Sequence, residues 1–291
     1  MLFILMATSF AVLIPATVNA ASPVSYVTIT LTNSQTTPTP KDFQQLIKVD
    51  WSTYASNLNA NVSNVRFYNS TTFASSYELS GWIETNNTTS ATSSNVWVNL
   101  SGTIVPASGT ATIYMAFLPT TSSWSSHWGL APQLDKTYGK HDNGASVFAK
   151  YWNFLGTATP AGWTLYGATV NNGIQVPAGD SGAFYAQYSI SAIPNYIVEA
   201  YGDTVATASA NKDANGFVFG LGTSGSWASG HNWYGVGTNS VLSSSYYVAD
   251  YEVYGSQGVI LGTSSTSIGA HTLAGGYYTS TGATFTLTTI L

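Results

Sequence analysis

The sequence predicts a mainly β fold in which a hydrophobic α-helix precedes two β-sandwiches, and three observations predict this class. Short stretches in which apolar residues alternate with polar residues recur along most of the chain, a period typical of half-buried strands. Turns rich in Asn, Ser and Gly separate these stretches at intervals typical of sandwiches. Residues 1–21 differ, because they form an uncharged apolar run whose length favours a buried or membrane-spanning helix.

The composition is that of a folded protein with very little charge. Among 291 residues, 7 are basic and 12 acidic, so that only 7% are charged, against about 25% in typical globular proteins. A hydrophobic content of 44%, with 9 Trp and 19 Tyr, excludes intrinsic disorder. Seven basic side chains are too few for a nucleic-acid-binding surface, and the lack of cysteine excludes disulfides and thiol chemistry. Because charge normally keeps cytosolic proteins soluble, a surface of hydroxyl groups favours an extracellular assembly of many copies.

The length suits two domains that each bury a core. We expect an Ig-like β-sandwich over residues 24–130 and a second β-sandwich, of the jelly-roll type, over 136–291. The strand pattern is clearest at 24–33, where Val, Ile and Leu alternate with Thr. In the second domain, the first predicted strand covers residues 147–152.

Residues 1–23 are expected to form a helix in the core of a filament. The bulky apolar residues that would pack there are Met1, Leu2, Phe3, Ile4, Leu5, Met6, Phe10, Val12, Leu13 and Ile14. Two other interpretations stay open: a secretory signal peptide cleaved after 18–20, and a plain membrane anchor. A signal peptide begins with basic residues, whereas the first charged residue here is Lys41. We therefore expect Met1 to be the first residue left after removal of a basic leader.

This arrangement of an apolar helix before an uncharged β-rich head resembles archaeal type IV pilins and archaellins. The resemblance implies a structural subunit of an extracellular filament, which waits in the membrane and polymerises with identical copies through this helix. It also implies adhesion to a surface, although no residue distinguishes an adhesive filament from a motile one. Two features depart from the pattern. The helix is short, and no acidic residue precedes Asp42.

The first β domain resembles a family of unknown function found in archaeal and bacterial surface proteins. The resemblance covers about 95 residues and follows the order YVTITLTN, DFQQLIKVDW, NVRFYNST, LSGWIE, NVWVNL and GTATIYMAF. It implies no chemistry. All Asn-x-Ser/Thr sequons lie in this domain, and each is a candidate N-glycan acceptor in an exported protein: Asn61, Asn69, Asn86, Asn87 and Asn99.

The second domain resembles the laminin-G and concanavalin-like sandwiches of surface proteins, through FAKYWNFLGTATPAGWTL, NNGIQVPAG and NKDANGFVFGLG. The resemblance implies glycan binding by aromatic stacking, with calcium nearby. The stacking candidates are Trp152, Trp163, Trp227 and Trp233. Asp213 and Asn215 are a weak calcium candidate, because the segment lacks the later glutamate of an EF-hand loop and an Asx-Gly turn explains it without metal.

Catalytic motifs are lacking elsewhere in the sequence. Asp250 and Glu252 are spaced as a carboxylate pair on one face of a strand, but surface solvation is the commoner reason for such a pair. The four histidines show no metal-ligand spacing, and no GxSxG motif occurs. We therefore expect a structural protein rather than an enzyme, with no cofactor. The alternative is a secreted or anchored lectin-like protein, including a glycoside hydrolase.

Overall fold

A computed structural model describes residues 22–175, 185–189, 196–203, 218–222, 233–239, 245–254, 257–267, 271–279 and 282–290. The chain divides into two compact units after Asn153. The expected filament helix, residues 1–23, lies outside the described residues except for Ser22 and Pro23, which precede the first strand. The described part of the chain is mainly β, as the sequence predicts, with several sheets and, within these residues, only short helices.

The first unit is a β-sandwich of two four-stranded sheets. Its strands are β1 (Ser25–Thr32), β2 (Gln44–Val49), β3 (Val65–Tyr68), β4 (Glu78–Leu79), β5 (Gly81–Ile83), β6 (Ser94–Asn99), β7 (Thr110–Phe117) and β8 (Trp128–Leu130). Sheet A has the order β1-β7-β3-β4 and sheet B the order β2-β6-β5-β8. All pairs are antiparallel except β5 with β8. Only Ser80 separates β4 from β5, so the chain passes there from one sheet to the other.

The apolar core of the first unit lies between sheets A and B. Inward-facing residues of both sheets join two fully buried tryptophans, Trp51 and Trp128, whose rings meet edge to face at 6.4 Å. Trp51 begins a 3₁₀ helix, Trp51–Asn57, whose first turn is capped by the Asp50 carboxylate. The indole N–H of Trp128 donates to the Val62 carbonyl at 2.9 Å, which satisfies a donor that would otherwise be costly to bury.

The outer face of sheet B is covered by residues 131–153, here named the cap segment. It contains a 3₁₀ turn, Pro132–Leu134, and the short helix α1, Gly144–Val147. A second apolar cluster forms between Trp82 and Trp97 of sheet B and residues of the cap segment. The predicted strand 147–152 is therefore wrong, because α1 and an irregular stretch occupy this region. The unit boundary also falls later than the expected start of the second domain at 136, since the cap segment contacts the first unit.

The second unit contains a three-stranded sheet, a four-stranded sheet and two strand pairs. Its strands are β9 (Trp163–Tyr166), β10 (Thr169–Val170), β11 (Ile174–Gln175), β12 (Tyr185–Tyr188), β13 (Tyr196–Asp203), β14 (Val218–Gly222), β15 (Trp233–Asn239), β16 (Ser245–Tyr254), β17 (Gln257–Ser267), β18 (His271–Thr279) and β19 (Gly282–Ile290). The sheet orders are β13-β18-β19 and β14-β15-β16-β17, with β9 paired to β12 and β10 to β11. Strand β15 contacts β18 and β19 of the other sheet.

Candidate assembly and binding surfaces

The outer face of sheet A is a hydroxyl-rich, uncharged surface on strands β1 and β7. Thr28, Thr30 and Thr32 of β1 are exposed, because the alternation of the strand directs its apolar residues toward the core. In the antiparallel register Thr30 lies opposite Thr112, and Thr32 opposite Thr110. The threonines thus form two rows of hydroxyl groups on an uncharged part of the sheet surface.

A group of aromatic rings continues this surface toward β3. Phe73 lies at its centre, with ring centroids 5.1 Å from Tyr26, 5.3 Å from Tyr68 and 6.3 Å from Tyr114. Tyr26 is 49% exposed and so presents aromatic area to solvent. Phe73 has a φ of 50°, a strained left-handed conformation for a bulky residue. The ring contacts with the three tyrosines offset this strain.

A buried ion pair lies on the same outer face, between Arg66 of β3 and Glu78 of β4. Arg66 Nε is 3.3 Å from Glu78 Oε1, and the two side chains are only 8% and 10% exposed. The guanidinium also donates to the carbonyls of Ser63 at 2.9 Å and Ser123 at 2.6 Å. Burial raises the pKa of the Glu78 carboxyl, against the opposing charges of Arg66 and His127, and lowers the pKa of Arg66. The pair therefore contributes little charge to the surface.

Asp142 of the cap segment gathers four hydrogen-bond donors on one carboxylate. Oδ1 accepts from the Trp82 indole at 2.9 Å and from the Gly144 N–H at 3.0 Å. Oδ2 accepts from the Tyr151 hydroxyl at 2.8 Å and from Asn153 Nδ2 at 2.7 Å. Burial and the nearby carboxylate raise the pKa of Tyr151 far above its ordinary value. Because the donors belong to sheet B and to the cap segment, the Asp142 carboxylate links the cap segment to sheet B by hydrogen bonds.

Two histidines of the first unit form close polar pairs of the kind that catalytic groups use. His127 Nδ1 lies 3.2 Å from Ser80 Oγ, which is within the range of a nucleophile and base. His127 is exposed. His141 Nδ1 lies 2.7 Å from Asp135 Oδ2, and its ring stacks on Trp124 at 5.8 Å. Trp124 in turn stacks on the core residue Trp128. The His141–Asp135 pair therefore packs against the aromatic residues of the core.

A cavity of about 240 Å³ lies where the loop after β1 meets the loop before β7. Its lining includes Asn33, Gln35, Phe43 and Val105. The Asn33 amide already donates to the carbonyls of Thr37 and Pro106 and accepts from the Gln35 N–H. The volume is below the range of about 300–1,000 Å³ usual for small-molecule sites, and the polar lining groups hold the two loops together.

The five sequons differ in accessibility. Asn61 and Asn86 are exposed, whereas Asn69, Asn87 and Asn99 are half-buried. Asn99 Nδ2 donates to the carbonyls of Ser146 and Val147, each at 3.3 Å, so its amide lies beneath the cap segment. Asn69 Nδ2 donates to Thr103 Oγ1 at 3.3 Å. The exposed Asn86 also makes such a bond, because its Nδ2 donates to the Ser93 carbonyl at 2.9 Å.

The stacking candidates of the second unit are only partly described. Trp163, on β9, is half-buried with its ring 4.9 Å from Phe154 and 5.6 Å from Tyr188. Trp152, in the cap segment, is also half-buried. Trp227 lies outside the described residues, as do Asp213 and Asn215, and for Trp233 only the backbone of β15 is described.

The candidate carboxylate pair of the second unit lies on a single strand. Asp250 and Glu252 both belong to β16, whose register with β17 shifts between Asp250 and Tyr251. Two further acidic residues, Glu199 and Asp203, belong to β13 in the other sheet. Across the described ranges, no three His, Asp or Glu side chains gather as a metal site would require. No helix among these residues is long and apolar enough to cross a membrane.

Comparison with known proteins finds a similarity to a viral protein. No protein-family model and no solved structure matches the chain. A segment of 131 residues is 36% identical to "Uncharacterized protein 562" of Sulfolobus islandicus rod-shaped virus 1. The match covers 45% of this chain and 22% of the viral protein, so the two proteins share a segment and differ over most of the viral chain.

Proposed function

We propose that this chain is the structural subunit of an extracellular, archaeal pilin-like or archaellin-like filament that adheres to surfaces. One observation carries the proposal. The uncharged apolar segment 1–21 leads within four residues into β1 of a weakly charged sandwich. A segment of this kind requires shelter from water, and the helices of identical neighbours supply it. Burial stabilises such an assembly by about 25 cal/mol per Å² of apolar surface.

The internal placement of charged groups supports a crowded assembly. Arg66 and Glu84 are buried, Glu78 is nearly so, and Asp142 is engaged by its four donors. The surface of the first unit therefore carries even less charge than the 7% of the composition suggests. Closely spaced copies repel one another less when their surfaces are uncharged.

The finer fold assignments belong to the same proposal. The first unit would be an Ig-like sandwich and the second a jelly-roll or concanavalin-like sandwich, and both would belong to the outer sheath of the filament. The relative in a virus named for Sulfolobus islandicus, an archaeon, is compatible with an archaeal setting. Exposed sequons such as Asn61 would carry glycans on the outside.

The direct test is electron microscopy of the purified full chain and of a variant that lacks residues 1–21. We expect helical filaments from the full chain and single particles from the truncated one. A variant with Leu5→Asp should resemble the truncated chain, because a buried charge in the filament core is costly. The matched control, exposed Ser56→Asp in the 3₁₀ helix Trp51–Asn57, should still polymerise. Filaments from the truncated chain, or a solitary full chain, would refute the proposal.

A second candidate function is carbohydrate binding, and the aromatic group around Phe73, in which Tyr26 is exposed, favours it. Uncharged rings flanked by threonine hydroxyls can stack on a sugar and hydrogen-bond to it. A glycan array probed with the full chain and with Tyr26→Ala tests this idea. Binding that falls with Tyr26→Ala supports it, and a blank array removes it.

A further inference from the structure

Strand β1 gives sheet A a long open edge. Among the described residues β1 pairs with β7 alone, and its eight residues include no charge and no proline. The other edge strands of the first unit are poor templates: β4 has two residues, β8 has three, and β2 carries Lys48. An unprotected edge of this length is a ready template for pairing with another strand.

The backbone groups of the threonines face this edge. The backbone N–H of Asn33, just after β1, donates to the Gly109 carbonyl at 2.8 Å. On the opposite edge of β7, toward β3, the Leu118 N–H donates to the Asn64 carbonyl at 2.9 Å. Hydrogen-bonded and non-hydrogen-bonded pairs alternate in an antiparallel ladder, so each of these bonds shows which residues of β7 bond to β1, and the two agree. Ile29 and Leu31 therefore bond to β7, whereas the N–H and C=O groups of Thr28 and Thr30 are directed to the open edge.

The core is also incompletely covered at β1. Val27 and Ile29 contact the core but are only half-buried, whereas Ile113 of the neighbouring strand is fully buried. An additional strand would satisfy the backbone groups and remove apolar area of Val27 and Ile29 from water. Both effects favour strand addition.

We infer that the open edge of β1 pairs with strand β19 of a second copy of this chain. β19 is itself an edge strand, bonded to β18 alone in the described part of its sheet, and it contains no charge and no proline. Its sequence alternates as β1 does, with Thr284, Thr286 and Thr288 separated by apolar residues. Pairing places threonine beside threonine on one face and apolar residues together on the other.

The other long uncharged edge strand, β17, fits less well. Residues 262–267 read GTSSTS and show no alternation of apolar and polar residues. A strand that is polar on both faces does not determine which face is buried or in which register it pairs. The match of pattern therefore selects β19 as the partner. The inference rests on the proposed function for the premise that copies of the chain meet.

Disulfide trapping tests the pairing, since the protein has no cysteine of its own. One batch of the full chain carries Thr30→Cys, and a second carries cysteine at Thr284, Thr286 or Thr288 in turn. Oxidation of the mixed batches under assembly conditions should give a disulfide-linked heterodimer. The matched control replaces Thr30→Cys with Thr112→Cys, which lies opposite Thr30 on the same face but on the central strand β7. It should give no heterodimer.

A backbone variant separates strand pairing from side-chain contact. Thr30→Pro removes an N–H that faces the open edge and leaves the ladder with β7 intact, so circular dichroism should be unchanged while the trapped heterodimer is lost. Thr30→Val keeps the N–H and should retain association. Equal association by Thr30→Pro and the unmodified chain would overturn the inference, as would absence of every mixed heterodimer. If filaments persist in either case, the proposed function stands and only the pairing fails. If the full chain stays solitary, both fail.

Discussion

At the scale of single residues, the sequence identifies residue types correctly but not their tasks. Asn61 and Asn99 are both sequon asparagines, yet one is exposed and the other holds the cap segment. Asp142 stands in a short Asx-Gly segment, and nothing in the sequence indicates that its carboxylate meets Trp82. Such contacts join residues far apart in the chain, so a local pattern does not reveal them.

Glycosylation should follow this difference in accessibility. We expect a glycan on Asn61 and none on Asn99, because a sugar on Asn99 Nδ2 would displace the carbonyls of Ser146 and Val147. Mass spectrometry of peptides from exported material measures the occupancy. Asn61→Gln should lower the mass without affecting stability, whereas Asn99→Gln should destabilise the fold without a change in glycan mass. Full occupancy of Asn99 in folded protein would contradict the expectation.

Tyr68 makes the first unit sensitive to alkaline pH. Burial raises the pKa of its hydroxyl to about 12, with Glu78 adding to the effect, whereas an exposed tyrosine ionises near pH 10. Since the folded pKa is the higher one, the contribution of Tyr68 is complete below about pH 10 and is lost as the pH rises toward about 12. Urea denaturation at a series of pH values should show this decline.

The variant Tyr68→Phe provides the comparison for this alkaline decline. The decline should be shallower in Tyr68→Phe, because the phenyl ring does not ionise in either state. The exposed residue Tyr77 supplies the control, and Tyr77→Phe should leave the slope unchanged. Equal slopes in Tyr68→Phe and the unmodified chain would show that Tyr68 does not cause the decline.

At the scale of elements, the strand with the clearest alternation was predicted well and some segments were not. The predicted strand 24–33 contains the whole of β1, whose alternating residues meet the core on one face and water on the other. Strand β8, which has only three residues, all of them buried, was not predicted. The strand predicted at 147–152 failed because Phe148 and Tyr151 bury their rings against Trp82, a contact that requires no extended backbone.

The attachment of the cap segment can be tested at Phe148. Its ring lies 5.1 Å from Trp82 and 5.7 Å from Trp97, so Phe148→Ala removes an aromatic contact of the cap segment with both tryptophans of sheet B. We expect a loss of about 2 kcal/mol in the free energy of unfolding, below the value for a fully buried phenylalanine because the side chain is half-buried. Urea denaturation measures the loss, and a red shift of tryptophan emission should report the exposure of Trp82.

A neighbouring substitution supplies the control for the cap segment. Lys150 is exposed and lies two residues from Phe148, so Lys150→Ala should change neither the stability nor the emission. A variant Phe148→Ala as stable as Lys150→Ala would show that the ring contacts do not hold the cap segment. The hydrogen bonds to Asp142 would then be the main attachment.

At the scale of the whole molecule, the composition predicts a low charge, but it does not predict which charged side chains are buried. The sequence shows that only 7% of residues are charged, whereas the structure shows that Arg66 and Glu84 are buried as well. A mainly β architecture was predictable from the spacing of the turns. The open edge of β1 was not, because strand order depends on pairings such as β1 with β7, whose residues are more than seventy positions apart.

The final prediction concerns how salt affects the proposed filament. Contacts between exposed charges weaken as ionic strength rises, since the Debye length falls from about 10 Å at 0.1 M to about 3 Å at 1 M. An assembly driven by apolar burial and backbone pairing lacks such contacts, so the sedimentable fraction should be unchanged between these concentrations of sodium chloride. Sodium sulfate should increase it, because excluded salts strengthen the burial of apolar surface. Dissolution of the filaments by sodium chloride would instead assign assembly to the few surface charges, such as Lys41 and Lys48, and Lys48→Ala would then be expected to dissolve them at low salt too.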